Sequence, residues 1–125
     1  MIALDSDVLI EILDRGSERG SQALKLILAS EEEVCTTVIS LHEVLFGLNK
    51  YGKPVKALLQ LPVLDYTKKD AVLSSKIEQE TEQTGKPITR TDTMVAAIAI
   101  NNNATLCTFN LKHFKPLRTQ GLKLF

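Results

Sequence analysis

Five oxygen-bearing side chains stand where short apolar runs meet the segments that follow them. Asp5 and Asp7 come directly after Ile2-Ala3-Leu4. Glu43 lies just beyond the β-branched run Val34 to Val38, Asp92 precedes the apolar run Met94 to Ile100, and Asn110 follows Ala104 to Phe109. If these groups share one crevice, the carboxylates repel one another and resist ionising together unless a divalent cation neutralises them. An all-oxygen donor set suits Mg²⁺ or Mn²⁺. The two cysteines, Cys35 and Cys107, belong to no CxxC or Cys/His cluster, so zinc is not indicated, and His42 and His113 read as surface histidines.

Each acidic residue also has a plainer use. Asp5 and Asp7 can cap a helix, Glu43 can complete a capping box with Ser40, Asp92 can sit at a helix start after Thr89, and Asn110 can be a turn residue. Capping explains each position separately but not their common placement. In open parallel sheets ligands bind outside the carboxyl ends of the strands, and four separate segments bring these residues to that rim.

The elements needed to do this are legible in the apolar pattern. Strands are expected at 2–4, 34–38, 61–66, 104–109 and 122–124. Helices are expected from Val8 to about Asp14, around Ala23 to Ala29 after a loop marked by Gly16, Ser17 and Gly20, and from Ser40 as N-cap to about Lys50. A short helix after Pro54 carries Val55, Leu58 and Leu59 on one face. A longer one, capped by Thr67 or Asp70, carries Val72, Leu73 and Ile77 on one face and ends at Thr84-Gly85. The run opened by Asp92 has too little polar content for a surface helix and is the central buried one, closed by Asn101 to Asn103. Residues 110–116 read as a loop. Short apolar strands alternating with helices predict a single-domain α/β/α sandwich over residues 1–125 with a central parallel sheet.

Composition sets the bounds. With 44% hydrophobic and 24% charged residues the chain is an ordinary globular one, neither disordered nor fibrous. Fifteen basic residues balance fifteen acidic ones. A protein that finds nucleic acid by bulk positive charge is therefore excluded, and any such contact must be local. Asp5 interrupts the N-terminus before a signal-peptide core could form, and no apolar run approaches the roughly 18 residues needed to span a bilayer. A cytoplasmic chain in a reducing compartment is expected, neither exported nor embedded in a membrane.

Four landmarks, taken in order and spacing, carry a resemblance over nearly the whole chain. They are Leu4-Asp5-Ser6-Asp7-Val8-Leu9-Ile10, Ser40-Leu41-His42-Glu43-Val44-Leu45-Phe46-Gly47, Gly85-Lys86-Pro87-Ile88 leading to Asp92 and Ala96 to Ala99, and Thr108-Phe109-Asn110-Leu111-Lys112-His113-Phe114. The sequence resembles the PIN-domain nucleases, and within them the short VapC-type toxins of toxin–antitoxin pairs. The resemblance implies a metal-dependent endoribonuclease that hydrolyses RNA phosphodiester bonds, with Asp5, Glu43 and Asp92 holding Mg²⁺ or Mn²⁺, Asn110 in the fourth position of the site, and Ser6 supporting the first carboxylate. It also implies a VapB-like antitoxin laid across the active-site region, and a homodimer. Leu24, Leu28, Leu45, Phe46, Leu48 and Leu58 lie on helices able to form such contacts.

The chain departs from the family pattern at three points. Asp7 stands where Asn is usual, which adds a negative charge and a further candidate ligand. Asn110 replaces an acid and supplies no charge, and His113 replaces an aspartate often seen before the phenylalanine. Lys112, Lys115, Arg118 and Arg90 are near enough in sequence to the rim to meet a substrate backbone. Four Phe and two Tyr leave few platforms for stacking bases. Two other readings fit parts of the pattern. Asp5-Ser6-Asp7-Val8 also resembles the nucleophile motif of haloacid dehalogenase-type phosphatases, and Asn110 is compatible with a catalytically silent PIN-like module that only docks proteins.

Overall fold

In the computed structural model, which describes residues 1–125, the five apolar runs form one sheet of five short parallel strands in the order β3-β2-β1-β4-β5. These are β1 (Ile2–Leu4), β2 (Val34–Thr37), β3 (Val63–Leu64), β4 (Thr105–Cys107) and β5 (Lys123–Leu124). All but the first are shorter than the sequence pattern suggests. Alternation along the strands divides the interior in two. Ala3, Cys35 and Leu106 join one apolar cluster, and Ile2, Leu4 and Cys107 join the other. A sheet buried on both faces needs helices on both, and the α/β/α sandwich follows.

The helices are α1 (Ser6–Ile10), α2 (Glu18–Ser30), α3 (Val38–Lys50), α4 (Lys56–Leu59), α5 (Lys68–Gln83), α6 (Arg90–Asn101) and α7 (Leu111–Phe114). A π-helical turn over Glu11–Arg15 follows α1, and a 3₁₀ segment over Lys115–Gln120 follows α7. Residues 110–116, read from sequence as a loop, are thus mostly helical. Phe114 and Leu117 are fully buried in the core and hold this segment down. No helix is long and apolar enough to cross a membrane.

Four local assignments differ from the sequence reading, each for a physical reason. The first helix begins at Ser6 rather than Val8, because Asp5 is its N-cap. Gly20, expected in a loop, lies inside α2. A Cβ there would stand 2.5 Å from the Glu11 carbonyl oxygen, so the glycine lets α2 pack directly against the π turn. The cap of α3 is Thr37, whose hydroxyl accepts from the Ser40 amide, and Ser40 is freed to point inward. Glu43 consequently lies in the second turn of α3 and is not a capping residue. Finally, α5 buries Asp70, Ser74 and Ile77 and leaves Val72 65% exposed. Its polar stripe can be buried because Asp70 completes a capping box with Thr67 and accepts from Asn101, while Ser74 bonds the Tyr66 hydroxyl.

The central helix α6 is as expected. Val95 to Ala99 are buried without interruption, and Ala96 and Ala99 let it lie close to the sheet. Its N-cap is Thr89, so Asp92 stands at the third helical position. Of the leucines and phenylalanine considered for contacts with other chains, Leu28 and Phe46 are about two-thirds exposed and Leu24 is partly so, whereas Leu48 and Leu58 are core residues. Those two are inaccessible to a partner.

Candidate metal centre

The parallel pairing of β1 with β4, Leu4 opposite Cys107, sets Asp5 beside Thr108 at the carboxyl end of the sheet. Asp5 is only 5% exposed and is held from three directions. Its Oδ1 accepts from the Ser6 amide at 2.9 Å and the Ser40 hydroxyl at 3.3 Å, and its Oδ2 accepts from the Thr108 hydroxyl at 2.8 Å. Ser40 is oriented in turn by the Thr37 hydroxyl, at 3.2 Å. Ser6 therefore supports Asp5 through its backbone and not its hydroxyl. The hydroxyls that do so belong to Ser40 and Thr108, residues distant in sequence.

Asp7 is fixed on one side only. Its Oδ2 accepts from the Phe109 amide at 3.1 Å, while Oδ1 is buried and has no partner. Thr108 also lies 3.5 Å from Asp7, but its single hydroxyl proton is committed to the shorter contact with Asp5. The Asn110 amide donates back to the Thr108 hydroxyl at 3.0 Å. On α6, Asp92 lies 3.6 Å from Nδ1 of His113, and the same nitrogen is 2.9 Å from the Asn110 side-chain amide. His113 is thus part of the rim and not an isolated surface histidine.

The carboxylates sense one another. Burial raises Asp5 from 3.8 to about 6, with Asp7 and then Asp92 adding to the rise against the opposing bonds from Thr108 and Ser6. Burial also raises Asp7, partly offset by the Val8 and Phe109 amides and by the charge of Arg19. Glu43, on the solvent side of the rim, is raised by loss of water around its carboxyl, then by Asp92 and by Asp7, with His42 opposing. Asp5 thus senses Asp7 and Asp92, Glu43 senses Asp92 and Asp7, and among the neighbouring charges only Arg19 and His42 oppose protonation.

No three His, Cys, Asp or Glu side chains converge closely enough to enclose an ion by themselves. The donor chemistry nevertheless fits a small hard cation. Mg²⁺ is usually gripped by one or two carboxylates while keeping several waters, and here the Asp7 Oδ1 is buried without a donor beside the already constrained Asp5. A cation would supply what this rim lacks.

Two basic side chains stand elsewhere than their sequence positions suggest. Arg90 is clamped to Glu78 through two contacts, at 3.0 and 3.1 Å, and ties the N-terminus of α6 to α5 instead of standing free at the rim. Arg19, not singled out in the sequence, reaches the rim from α2. It pairs with the buried Glu11 at 3.0 Å and lies 4.5 Å over the Phe109 ring. Hydrogen bonding from Ser17 and Arg19 holds Glu11 below the usual carboxylate range. Glu11, Arg19 and Phe109 come from three separate segments, and only the fold brings them together. Lys112, Lys115 and Arg118 are exposed on α7 and the 3₁₀ segment, and none has a carboxylate partner.

The PIN domain family model matches residues 2–117. Ribonuclease VapC2 of Rickettsia felis is 29% identical over 119 residues, spanning 90% of this chain and 88% of that protein. Ribonuclease VapC2 of Haemophilus influenzae is 28% identical, spanning 94% and 95%. Among solved structures, that of VapBC2 from Rickettsia felis bound to a DNA fragment from its promoter superposes with a TM-score of 0.81 at 28% identity, covering 100% of this chain and 98% of that one.

Proposed function

Because the chain belongs to the PIN-domain family, we propose that it is a metal-dependent endoribonuclease of the VapC toxin type, with Asp5, Glu43 and Asp92 as metal-holding residues and Asp7 as an added oxygen donor. The observation that carries this reading is the rim itself: a buried carboxylate raised to about 6 beside a second one with an orphaned oxygen. Such an arrangement is costly for stability by itself, and a bound cation would offset the cost. Its relatives are ribonucleases over nearly their full length, which favours RNA as the substrate and displaces the phosphatase alternative.

Bound there, Mg²⁺ or Mn²⁺ would polarise the scissile phosphate and make an attacking water more acidic. The residues of the chain have distinct duties around it. Thr108, Ser40 and the Ser6 amide fix Asp5 in one rotamer, and the Phe109 amide fixes one oxygen of Asp7, leaving the other directed to the ion. Asn110 orients Thr108 and His113 and contributes no charge. Lys112, Lys115 and Arg118 offer local positive charge to the RNA backbone, which a neutral protein needs. Arg19, held against Phe109 and paired with Glu11, offers a guanidinium to a phosphate oxygen.

A structural relative was solved as a VapBC pair. The same assembly is proposed here, with a VapB-like antitoxin as partner and the exposed Leu28 and Phe46 on α2 and α3 as candidate contacts for it or for a second copy of the chain. The test of the activity is cleavage of a mixed single-stranded RNA pool by protein purified free of antitoxin, with Mg²⁺, with Mn²⁺ and with EDTA, beside Asp5→Ala and Asp92→Asn. Cutting is expected with either metal and in neither variant. Equal cutting in EDTA or by Asp92→Asn would overturn the assignment, and a wild type that binds no Mn²⁺ at millimolar concentration would establish the silent docking module instead.

A further inference from the structure

We propose that the cleft between the end of α5 and α7 is a nucleotide subsite, seating the RNA residue next to the scissile phosphate; this rests on the ribonuclease reading above. The cleft is about 470 Å³, larger than the other principal clefts, and within the range of small-ligand pockets. Its lining includes Lys86 and Lys112 and no carboxylate. Each of the other four contains Asp or Glu. In a chain of zero net charge, this is the principal cleft in which positive charge is uncompensated. Neither lysine ammonium has an ion-pair or hydrogen-bond partner, in contrast to Lys53, which is held by Asp14, and Arg90, which is held by Glu78.

The position of the cleft specifies what it holds. His113 belongs both to its wall and to the metal rim, where its ring faces Asp92 at 3.6 Å. His113 is therefore the point at which a chain of phosphates crossing the rim at Asp92 would pass into the cleft. The remaining wall is suited to a base. Pro87 and Pro116 supply flat apolar surface, His113 an aromatic face, and Thr84 a hydroxyl that, its proton given to the Thr81 carbonyl at 3.0 Å, can accept from a base edge. A sugar–phosphate backbone along Lys86 and Lys112 with its base turned inward satisfies both halves of the lining.

The experiment measures equilibrium binding of a fluorescent single-stranded RNA pool to the wild type and to Lys86→Ala/Lys112→Ala across a salt series, in EDTA so that nothing is cut. Each phosphate deprived of its lysine lowers the slope of log K against log salt by about 0.7, so the double variant is expected to lose roughly 1.4 and to bind on the order of tenfold more weakly at about 0.1 M salt. Lys86→Arg/Lys112→Arg should restore the slope. Lys25→Ala/Lys68→Ala, with the same change in net charge placed elsewhere, should leave it unchanged. In parallel, Thr84→Trp fills the cleft and is expected to alter the base preferred beside the cut in the Mg²⁺ reaction, with circular dichroism monitoring the fold. A wild-type slope in Lys86→Ala/Lys112→Ala, or an equal loss in the Lys25/Lys68 control, would overturn the subsite while metal-dependent cutting by the wild type leaves the nuclease standing. A wild type that neither binds nor cuts the pool would overturn both.

Discussion

Asp5 shows what it costs to bury a single carboxylate. Its value of about 6, against 3.8 in an ordinary aspartate, means that the folded protein binds this proton more tightly than the unfolded chain does. The stabilising contribution is complete below the ordinary value and is lost as the pH rises through 6. In metal-free protein, Asp5→Asn should therefore raise stability at about pH 8, by on the order of 1–3 kcal/mol, and change it little at about pH 4. Thermal unfolding at the two pH values checks this, and equal shifts at both would show that the charge is not the cause. Thr108 provides the complementary test. Thr108→Val removes the 2.8 Å donor to Asp5 and should weaken Mn²⁺ binding by about 10- to 100-fold, as loss of a supporting bond to a metal ligand commonly does. Titration calorimetry reads it, and unchanged affinity would remove Thr108 from the site. Asp5, Glu43, Asp92 and Asn110 were legible in the sequence because each borders an apolar run. Ser40 and Thr108 were not, since a hydroxyl becomes a carboxylate support only through contacts 35 and 103 residues apart.

At the scale of elements, the end of α2 nearest the rim depends on one glycine. Gly20 allows the helix to touch the π turn backbone to backbone, and this approach brings Arg19 to Glu11 and Phe109. Gly20→Ala gains helix propensity but forces a Cβ to within 2.5 Å of the Glu11 carbonyl, so one of the two elements must move. A net loss of about 1–3 kcal/mol is expected in urea unfolding, as for other overpacked sites. A stabilised variant would show that the π turn yields readily. A glycine four residues from Gly16 reads in sequence as loop, and close approach of a distant backbone has no signature there. The same limit applies to α5, where Asp70 and Ser74 occupy the buried stripe because Thr67, Asn101 and Tyr66 satisfy them. Continuous apolar runs located the sheet and α6 correctly, since burial on both faces leaves no polar alternation. Strand ends were overextended because Thr108 and Phe109 are β-formers that serve the rim instead of the ladder.

For the whole molecule, the rim is a point of repulsion that the proposed cation would relieve. Mg²⁺ or Mn²⁺ at 100 times its dissociation constant should stabilise the protein by about 2.7 kcal/mol, raising the melting temperature, while Asp92→Asn should lose most of that gain. Absence of a metal-induced shift in the wild type would mean that the crevice binds no cation tightly. The α/β/α class and the parallel sheet followed from the order of the runs, whereas the cleft beside α7 could not be foreseen, because residues 110–116 gave no helical signal and its walls come from segments about 30 residues apart.

The hydrogen bond between Asp5 and Thr108 also bears on synthesis. The first strand and its carboxylates leave the ribosome early, but Asp5 lacks its support until β4 and the residues after it have emerged. A nascent chain from which residues 105–109 have not yet emerged therefore holds Asp5 without its bond from Thr108. Stalled ribosomal complexes exposing residues 1–104 should not cut RNA, whereas complexes exposing residues 1–125 through a linker should. If the proposed ribonuclease reading holds, the making of residues 105–109 separates a translated first carboxylate from a supported one.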